Sequence, residues 1–438
     1  MNLSYLTTKG IILVYSSVLV LGLLGSTTFA NIAHGRATLS PEGITLYDKS
    51  FKAELVKSGL ASPVTMAFIG PNDILVTEKK EGTVQRIVNG NSTAPLIKLD
   101  VSSTDERGLL GIATSTSSDG TYVFLYYTKC ESGKTDCNNL VYRYKLDQES
   151  NKLTDPLLLL RLPAMPDVSH NGGIITIGPD QNLYISIGDL RRTFIGGPTS
   201  TLAQNYENGT QVDGRAGILR ITQDGLPVDN ILGDNIPLSI YYAYGIRNSF
   251  GLDFDPVTGN LWDTENGPDF GDEINLVPAG FNGGWVKFQG IWNVESGPNL
   301  NPAGEKGSVA STNPGNLVTF NERGTYSPPE FTWEKTIGPT AIAFLKSDKL
   351  SKANENDVFV SDIKNGNIYH FKLNEDRTTF SVSGDLTDKV SNAGDNTQNI
   401  LFATGFGGIT DLKVGPDGYL YVLTFDKEDG RIYRIVPT

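Results

Sequence analysis

Only three histidines occur in the sequence, and His170 is the one best placed for proton chemistry. His34 lies near the N-terminus, and His370 lies inside an alternating strand pattern at 368–371. His170 instead stands immediately before Asn171-Gly172-Gly173, at the entrance to a predicted strand. A positioned neutral imidazole can take a proton from a hydroxyl, which is worth about 10² to 10⁴ in rate. The alternative is a histidine that only caps the strand.

Asp189 is the predicted partner of this histidine. It ends the run 184–189, YISIGD, which predicts a strand. This strand is the next one along the chain after the strand that follows His170. If these strands are antiparallel neighbours, the carboxylate of Asp189 can fix the imidazole tautomer and stabilise its charged form. The alternative is that Asp189 satisfies turn amides. We therefore predict His170 and Asp189 as catalytic residues.

A second group of polar residues flanks a later strand pattern. The run 245–248, GIRN, precedes that strand, and the run 265–273, ENGPDFGDE, follows it. The second run combines carboxylates with a Gly-Pro backbone in one turn, and such oxygens suit a hard cation such as calcium. The spacing does not match an EF-hand loop, so composition alone favours a solvated acidic turn.

These residues lie on a pattern that recurs along the chain. Each copy has an alternating apolar strand, a turn rich in Pro, Asp and Gly, a second strand that ends in a small or acidic residue, and a third strand. The copies begin at Pro63, Gly108, Asn171, Asn248, Gly338 and Gly407. With 48 glycines, 22 prolines and many β-formers, the composition favours strands and tight turns. We predict an all-β, six-bladed β-propeller of four-stranded antiparallel blades.

The ends of the chain complete this organisation. Residues 1–30 resemble a signal peptide with an apolar run of about 14 residues, and an uncleaved anchor is the alternative. We expect export, a single domain over 31–438, and no membrane span beyond the N-terminal signal. The stretch 44–56 could give an outer strand to the last blade, and the long inserts 191–213 and 290–329 could roof the central pocket.

Charge and cysteine content narrow the class of protein further. The formal charge is −13, and no basic stripe interrupted by aromatic residues occurs, so a nucleic-acid partner is not expected. Cys130 and Cys137 are the only cysteines. In an exported chain a disulfide at a hairpin tip is the favoured interpretation, and reduced thiols are the alternative.

In their order along the repeats, these motifs resemble the soluble PQQ-dependent glucose/sorbosone (aldose sugar) dehydrogenase family. The resemblance covers 63–434 and includes Glu106-Arg107-Gly108 and Asn282-Gly283-Gly284-Trp285, besides the runs already described. It implies a quinoprotein oxidoreductase that oxidises the anomeric carbon of aldoses to lactones with PQQ and calcium, and that passes electrons to an external acceptor. The quinone would carry the redox chemistry, and the protein would supply orientation, a base and a cation.

The resemblance also implies individual roles. His170 matches the base that removes the anomeric hydroxyl proton, and Asp189 supports it. Predicted cofactor contacts are Arg247, Asn248, Asn266, Lys364 and Thr340. Predicted calcium ligands are the backbone oxygens of Gly267 and Pro268, together with Asp272 and Glu273.

The sequence departs from the glucose dehydrogenase pattern at one cofactor contact. An Arg-x-Arg pair of that enzyme is replaced by Gly408-Ile409-Thr410, and Arg107, Arg191 or Arg192 are the candidate replacements. Ser169 replaces an acid, and Glu106 replaces an amide, so the sugar preference should differ.

Two other functions remain open from the sequence. One is a non-catalytic sugar- or protein-binding propeller of the same family. The other is a calcium-dependent lactone hydrolase, for which side-chain acids would have to converge on the central axis. The candidate acids for that function are Glu78, Glu265 and Asp362.

Overall fold

The regular structure of the described residues is almost entirely β. The computed structural model describes residues 43–131, 136–191, 203–205, 212–294 and 317–438. Within these ranges 31 strands occur, and the only helices are four single turns of 3-10 type at Leu238–Ile240, Lys352–Asn354, Gly384–Leu386 and Gln398–Ile400. The predicted signal peptide, His34, Arg192 and most of the two long inserts lie outside the described residues.

The strands are short and follow one another closely along the chain. The first eleven are β1 Thr45–Leu46, β2 Phe51–Leu60, β3 Pro63–Gly70, β4 Asp73–Glu78, β5 Thr83–Val88, β6 Asn91–Ser92, β7 Ile97–Lys98, β8 Leu109–Ser117, β9 Gly120–Cys130, β10 Cys137–Asp147 and β11 Lys152–Pro163. The next eleven are β12 Ile175–Ile177, β13 Leu183–Ile187, β14 Gly217–Ile221, β15 Tyr241–Tyr244, β16 Ser249–Phe254, β17 Leu261–Glu265, β18 Phe270–Val277, β19 Phe281–Asn282, β20 Phe288–Gln289, β21 Trp292–Asn293 and β22 Thr325–Tyr326. The last nine are β23 Phe331–Lys335, β24 Pro339–Phe344, β25 Val358–Asp362, β26 Ile368–Phe371, β27 Val390–Ser391, β28 Leu401–Thr404, β29 Ile409–Val414, β30 Leu420–Thr424 and β31 Gly430–Pro437.

Six of the sheets contain four to six strands each. In order of their first strand they are sheet I (β3-β4-β5-β6, with β7 on β5), sheet II (β8-β9-β10-β11), sheet III (β12-β13-β14-β15-β19-β22), sheet IV (β16-β17-β18-β23-β27), sheet V (β24-β25-β26-β28-β1) and sheet VI (β29-β30-β31-β2). A separate hairpin joins β20 to β21. The prediction of four strands per blade is correct for sheets II and VI. It is wrong for the other four sheets, because short strands from connecting segments pair with their outer edges.

The first strands of the six sheets contact one another in a cycle. β3 contacts β8, β8 contacts β12, β12 contacts β16, β16 contacts β24, β24 contacts β29, and β29 contacts β3 again. Each of these strands begins at or just after a predicted repeat start. A closed cycle of small twisted sheets is the architecture of a β-propeller, so the prediction of an all-β propeller is confirmed.

The apolar core lies between the sheets. Alternating side chains along each strand point to the two faces, and each pair of neighbouring sheets buries one cluster. Trp262 and Phe344 meet between sheets IV and V, for example, and Met66 and Tyr421 meet between sheets VI and I. Because each sheet needs both neighbours to cover its faces, the cycle has to close.

The two ends of the described chain are fastened in sheet VI. Strand β2 pairs with the C-terminal strand β31, and the backbone N–H of Thr438 donates to the carbonyl of Ser50 at 2.8 Å. The predicted outer strand is thus present. Its boundaries differ from the prediction, because Thr45–Leu46 pairs with β28 of sheet V instead.

Two further sequence features have direct counterparts in the structure. Cys130 and Cys137 form a disulfide between β9 and β10, at the tip of a hairpin in sheet II, as predicted. Among the described residues no helix is long and apolar enough to cross a membrane.

Candidate functional site

A cavity of about 550 Å³ collects residues from all six sheets and their loops. Its lining includes nine of the eleven predicted site residues, namely His170, Arg247, Asn248, Asn266, Gly267, Pro268, Asp272, Thr340 and Lys364. Asp189 and Glu273 do not line it. Further lining side chains include Lys79, Glu106, Thr336 and Thr410.

His170 and Asp189 form a buried pair at the edge of this cavity. His170 Nδ1 lies 2.6 Å from Asp189 Oδ1, and only 5% of the histidine side chain and none of the aspartate side chain is exposed. The backbone N–H of His170 donates to Glu106 Oε2 at 2.5 Å. The ring and the backbone of the histidine are therefore both held by carboxylates.

Asp189 is in turn fixed by two further donors. The indole Nε1 of Trp285 donates to Asp189 Oδ2 at 2.8 Å, and the backbone N–H of Arg191 donates to Oδ1 at 3.1 Å. These donors hold the Asp189 carboxylate in one orientation against the histidine ring. It consequently orients the imidazole with the proton on Nδ1, which leaves a lone pair on Nε2.

Gly188 allows the histidine and the next sheet to approach one another. A Cβ at this position would overlap the backbone oxygens of His170 and Arg247 and would lie 2.9 Å from Asn248 Oδ1. The backbone N–H of Asp189 also donates to the carbonyl of Arg247 at 2.9 Å. The absence of a side chain at 188 thus brings the predicted base beside the predicted cofactor contacts.

Arg247 is a buried cation with part of its hydrogen-bonding capacity unused. Its Nη1 donates to the carbonyl of Asn266 at 2.6 Å, and its guanidinium lies 5.5 Å from the ring centre of Trp285. Burial lowers its pKa, an effect opposed by the charges of Asp189 and Glu265. Within the part of the chain that the structure describes, Arg247 Nε and Asn248 Oδ1 are buried without a hydrogen-bond partner. Buried polar atoms of this kind point to a polar ligand.

The predicted metal ligands separate into two groups. Gly267 and Pro268 line the cavity, and Asp272 supports their turn through a hydrogen bond: its Oδ1 accepts from the backbone N–H of Gly267 at 2.8 Å. Its Oδ2 accepts from the backbone N–H groups of Ile337 and Gly338 at 2.6 and 2.7 Å. Burial raises the pKa of Asp272, while these three N–H donors oppose the rise. Asp272 is therefore occupied in holding two loops together.

Glu273 lies on the opposite face of β18 from Asp272, because consecutive strand residues alternate. Its Oε2 accepts from Asn275 Nδ2 at 3.1 Å, and burial raises its pKa to about 8. The structure does not bring this carboxylate to the cavity. Among the described residues no group of three or more His, Cys, Asp or Glu side chains is arranged to hold a metal ion.

The remaining predicted cofactor contacts are Thr340 and Lys364, which belong to sheet V and its turns, and Asn266, which directly follows β17 of sheet IV. Lys364 Nζ donates to the hydroxyl and to the carbonyl of Thr336, the latter at 3.2 Å. Thr340 donates its hydroxyl to the carbonyl of Ile409 at 2.8 Å, and Asn266 Nδ2 donates to the carbonyl of Pro339 at 2.8 Å.

Arg107 was one predicted replacement for the missing arginine pair, and it does not line the cavity. This buried guanidinium donates to the carbonyls of Ala164 and Asp167, so the interpretation of Arg107 as a cofactor contact is wrong. Sequence reasoning missed Lys79, which does line the cavity. Its signal was its place in the repeat, because Lys79 follows β4 much as Lys364 follows β25.

The acids required for a lactone hydrolase do not converge. Glu78 accepts from the hydroxyl of Thr83 at 2.5 Å, Glu265 accepts from the backbone N–H of Arg247 at 2.6 Å, and Asp362 accepts from that of Gly366 at 2.9 Å. None of the three lines the cavity. This arrangement removes the ligand set on which that hypothesis depended.

The chain is similar to known proteins along most of its length. The family described as glucose/sorbosone dehydrogenase matches residues 60–434. The chain is 27% identical to the aldose sugar dehydrogenase of Escherichia coli over 88% of this chain and 92% of that protein. It is also 27% identical to quinoprotein glucose dehydrogenase B of Acinetobacter calcoaceticus, over 88% of each. The PQQ-bound aldose sugar dehydrogenase of Streptomyces coelicolor has the same fold, with a TM-score of 0.62 and 24% identity over 90% of this chain and 98% of that one.

Proposed function

The chain belongs to the glucose/sorbosone dehydrogenase family, and from that premise we propose that it oxidises the anomeric carbon of aldose sugars to lactones with PQQ and calcium. The observation that carries the proposal is the buried His170–Asp189 pair beside a cavity whose other lining residues include Arg247, Asn248 and Lys364. An external electron acceptor would complete the cycle.

The residues of the chain suit the anionic quinone. Arg247 Nε is a buried donor without a partner among the described residues, and Lys364 bonds there only to the neutral oxygens of Thr336. Asn266 and Thr340 would border the same ligand, and the backbone oxygens of Gly267 and Pro268 would contribute to a calcium site. When bound, PQQ supplies the two-electron acceptor that takes the hydride of the sugar.

His170 provides the proton chemistry in this proposal. Asp189 keeps the ring proton on Nδ1, so that Nε2 accepts the proton of the anomeric hydroxyl while the hydride leaves the same carbon. Asp189 then stabilises the imidazolium that forms. Trp285 and the backbone of Arg191 hold Asp189 in place, and this position favours the stated orientation of the base.

We further propose that sheets I to VI are six blades of one domain over 31–438. The closed cycle of β3, β8, β12, β16, β24 and β29 and the six intersheet cores support this. We also propose that residues 1–30 direct export. The Cys130–Cys137 disulfide is consistent with an oxidising compartment.

A non-catalytic binding propeller is the second candidate function. It is favoured by one observation: Thr410 lines the cavity where the glucose dehydrogenase pattern has an arginine, and Gly408 stands at the other arginine position. A protein that lost its cofactor contacts while it kept the fold would look similar in these two positions.

One pair of experiments separates the two candidates. Apoprotein is titrated with PQQ in a calorimeter, with and without calcium, and dye reduction is then measured over a panel of aldoses. The dehydrogenase is expected to bind PQQ in a calcium-dependent way and to reduce dye only when sugar is present. His170→Ala should bind PQQ without turnover, and His370→Ala should behave as wild type. Absence of PQQ binding would favour the binding module.

A further inference from the structure

Lys79 is held in a fixed backbone position at the cavity. It directly follows β4, its backbone N–H donates to the carbonyl of Ser62 at 3.0 Å, and its own carbonyl accepts from the N–H of Leu109 at 3.1 Å. These two bonds tie the residue to the start of β3 on one side and to β8 of the next sheet on the other. The backbone from which the Lys79 side chain extends is therefore fixed between two sheets of the propeller.

Gly108 makes room for the side chain of Lys79. A Cβ at Gly108 would overlap Lys79 Cγ and would lie 2.7 Å from the carbonyl oxygen of Lys79. Gly108 also has φ of +149°, a backbone conformation that other residues rarely adopt. The aliphatic part of the Lys79 side chain thus packs against Gly108, and any side chain at residue 108 would displace it.

The ammonium group of Lys79 has no carboxylate bonded to it in the described structure. Its Nζ donates to the backbone carbonyl of Asp105, a neutral oxygen. None of the ion pairs found among the described residues includes Lys79 or Lys364. Burial lowers the pKa of Lys79, and the charges of Glu106 and Asp105 oppose that effect. A partly desolvated ammonium that has only a neutral acceptor gains most from an anionic ligand.

Lys79 belongs to sheet I, which is the neighbour of the sheet that lacks the arginine pair. Thr410, at the second arginine position, lies in β29 of sheet VI, and its hydroxyl is 3.4 Å from the carbonyl of Pro63 in β3. Strand β3 forms a hairpin with β4, which leads directly to Lys79. Lys79 and Thr410 therefore line the same cavity from neighbouring sheets.

We propose that Lys79 binds a carboxylate of PQQ and takes the place of the arginine pair that Gly408-Ile409-Thr410 lacks. The inference rests on the proposed function, because it assigns one ligand contact within the same cavity. On binding, the Asp105 carbonyl is exchanged for a charged acceptor. Lys79 and Lys364 then supply the two lysine charges for an anionic cofactor, one from sheet I and one from sheet V.

The competing role for Lys79 is to neutralise Glu106. The Glu106 carboxylate accepts from the backbone N–H of His170 and lines the same cavity, where its charge would repel a tricarboxylate. In that case Lys79 would act through Glu106 and would not contact the cofactor. The two roles differ in what happens when both side chains lose their charge.

Calorimetric titration of calcium-loaded apoprotein with PQQ tests the proposal without any measurement of turnover. Lys79→Met should weaken PQQ binding by about tenfold to a hundredfold, which is the range for a charge-assisted hydrogen bond. Lys79→Arg should restore most of the affinity. Lys80→Met is the matched control, since Lys80 is exposed, and it should bind as wild type. Thermal melting establishes that each variant is folded.

The double variant Lys79→Met/Glu106→Gln decides between the two roles. If Lys79 contacts the cofactor, the double variant binds PQQ more weakly than Glu106→Gln alone, by about the same factor that separates Lys79→Met from wild type. Equal affinity of the double variant and Glu106→Gln would overturn the direct contact. Unchanged binding by Lys79→Met would overturn the inference while leaving the proposed function intact. Failure of the wild-type protein to bind PQQ would instead remove the proposed function itself, and the two failures are thereby distinguished.

Discussion

Replacement of Asp189 by Asn tests the proposed base most directly. The substitution keeps the shape of the side chain and removes its charge. Asp189 accepts from His170 Nδ1 at 2.6 Å, from Trp285 Nε1 at 2.8 Å and from the backbone N–H of Arg191 at 3.1 Å. An amide has one oxygen and two N–H donors, so it cannot accept all three bonds, and its NH₂ group must face at least one donor.

The expected losses follow from these contacts. A histidine that is no longer held with its proton on Nδ1 loses the general-base contribution, so kcat should fall by about 10² to 10⁴. The unsatisfied donors around a fully buried amide should lower the free energy of unfolding by about 1 to 3 kcal/mol. PQQ binding should change little, because Asp189 does not line the cavity.

The assay is dye reduction by PQQ-loaded protein at saturating aldose, together with calorimetry of PQQ binding and urea unfolding. Asp357→Asn is the matched control, because Asp357 Oδ2 also pairs with a histidine, His370, at 2.7 Å, and neither residue lines this cavity. That variant should retain full turnover. If folded, PQQ-loaded Asp189→Asn turned over within about twofold of wild type, the assignment of His170 as the oriented base would be refuted.

Three further predictions concern stability and assembly of the site. Burial raises the pKa of Asp411 to about 6, so the folded state binds the carboxyl proton more tightly than the unfolded chain does. The protonated carboxyl therefore adds stability in acid, and this added stability is lost as the pH rises through about 6. Asp411→Asn should flatten the pH dependence of the free energy of unfolding between about pH 4 and 6, as measured by urea unfolding. Reduction of the Cys130–Cys137 disulfide should lower the free energy of unfolding by about 2 kcal/mol, a value to be checked by unfolding with and without reductant. Gly188→Ala should cost about 1 to 3 kcal/mol of stability and weaken PQQ binding, since the added methyl group overlaps the His170 carbonyl, and melting and calorimetry would detect both effects.

The repeat and the His170–Asp189 juxtaposition were predictable from the sequence because both follow from strand periodicity. Strands β12 and β13 are antiparallel neighbours, so a residue before one and a residue after the other lie at the same edge of the sheet. The same reasoning applies to Asn248 and Asn266, which flank β16 and β17. Predictions that depend only on which strands pair therefore agree with the structure.

The roles of the acidic residues at 272 and 273 could not be predicted in the same way. Composition gives the number of carboxylates in a turn, while their function depends on which backbone N–H groups come within reach. For Asp272 the donors come from Ile337 and Gly338, more than sixty residues further along the chain. Glu273 turns to the other face of the strand, toward Asn275. Asp272 therefore holds the segment that leads from sheet IV to sheet V, whereas Glu273 bonds to a residue of its own strand.

The ring also explains why a cation can change position without loss of the site. The turns after the second strands of sheets I, IV, V and VI all reach the cavity, so Lys79 in sheet I and Lys364 in sheet V occupy comparable places in their repeats. A charge removed from sheet VI, at Thr410, can therefore be replaced from a neighbouring sheet with no change in the fold. A base is less free to move, because its partner has to come from the adjacent strand, as Asp189 does for His170. For this reason the catalytic pair should be the fixed feature of the cavity, and the cofactor's cationic contacts the variable one.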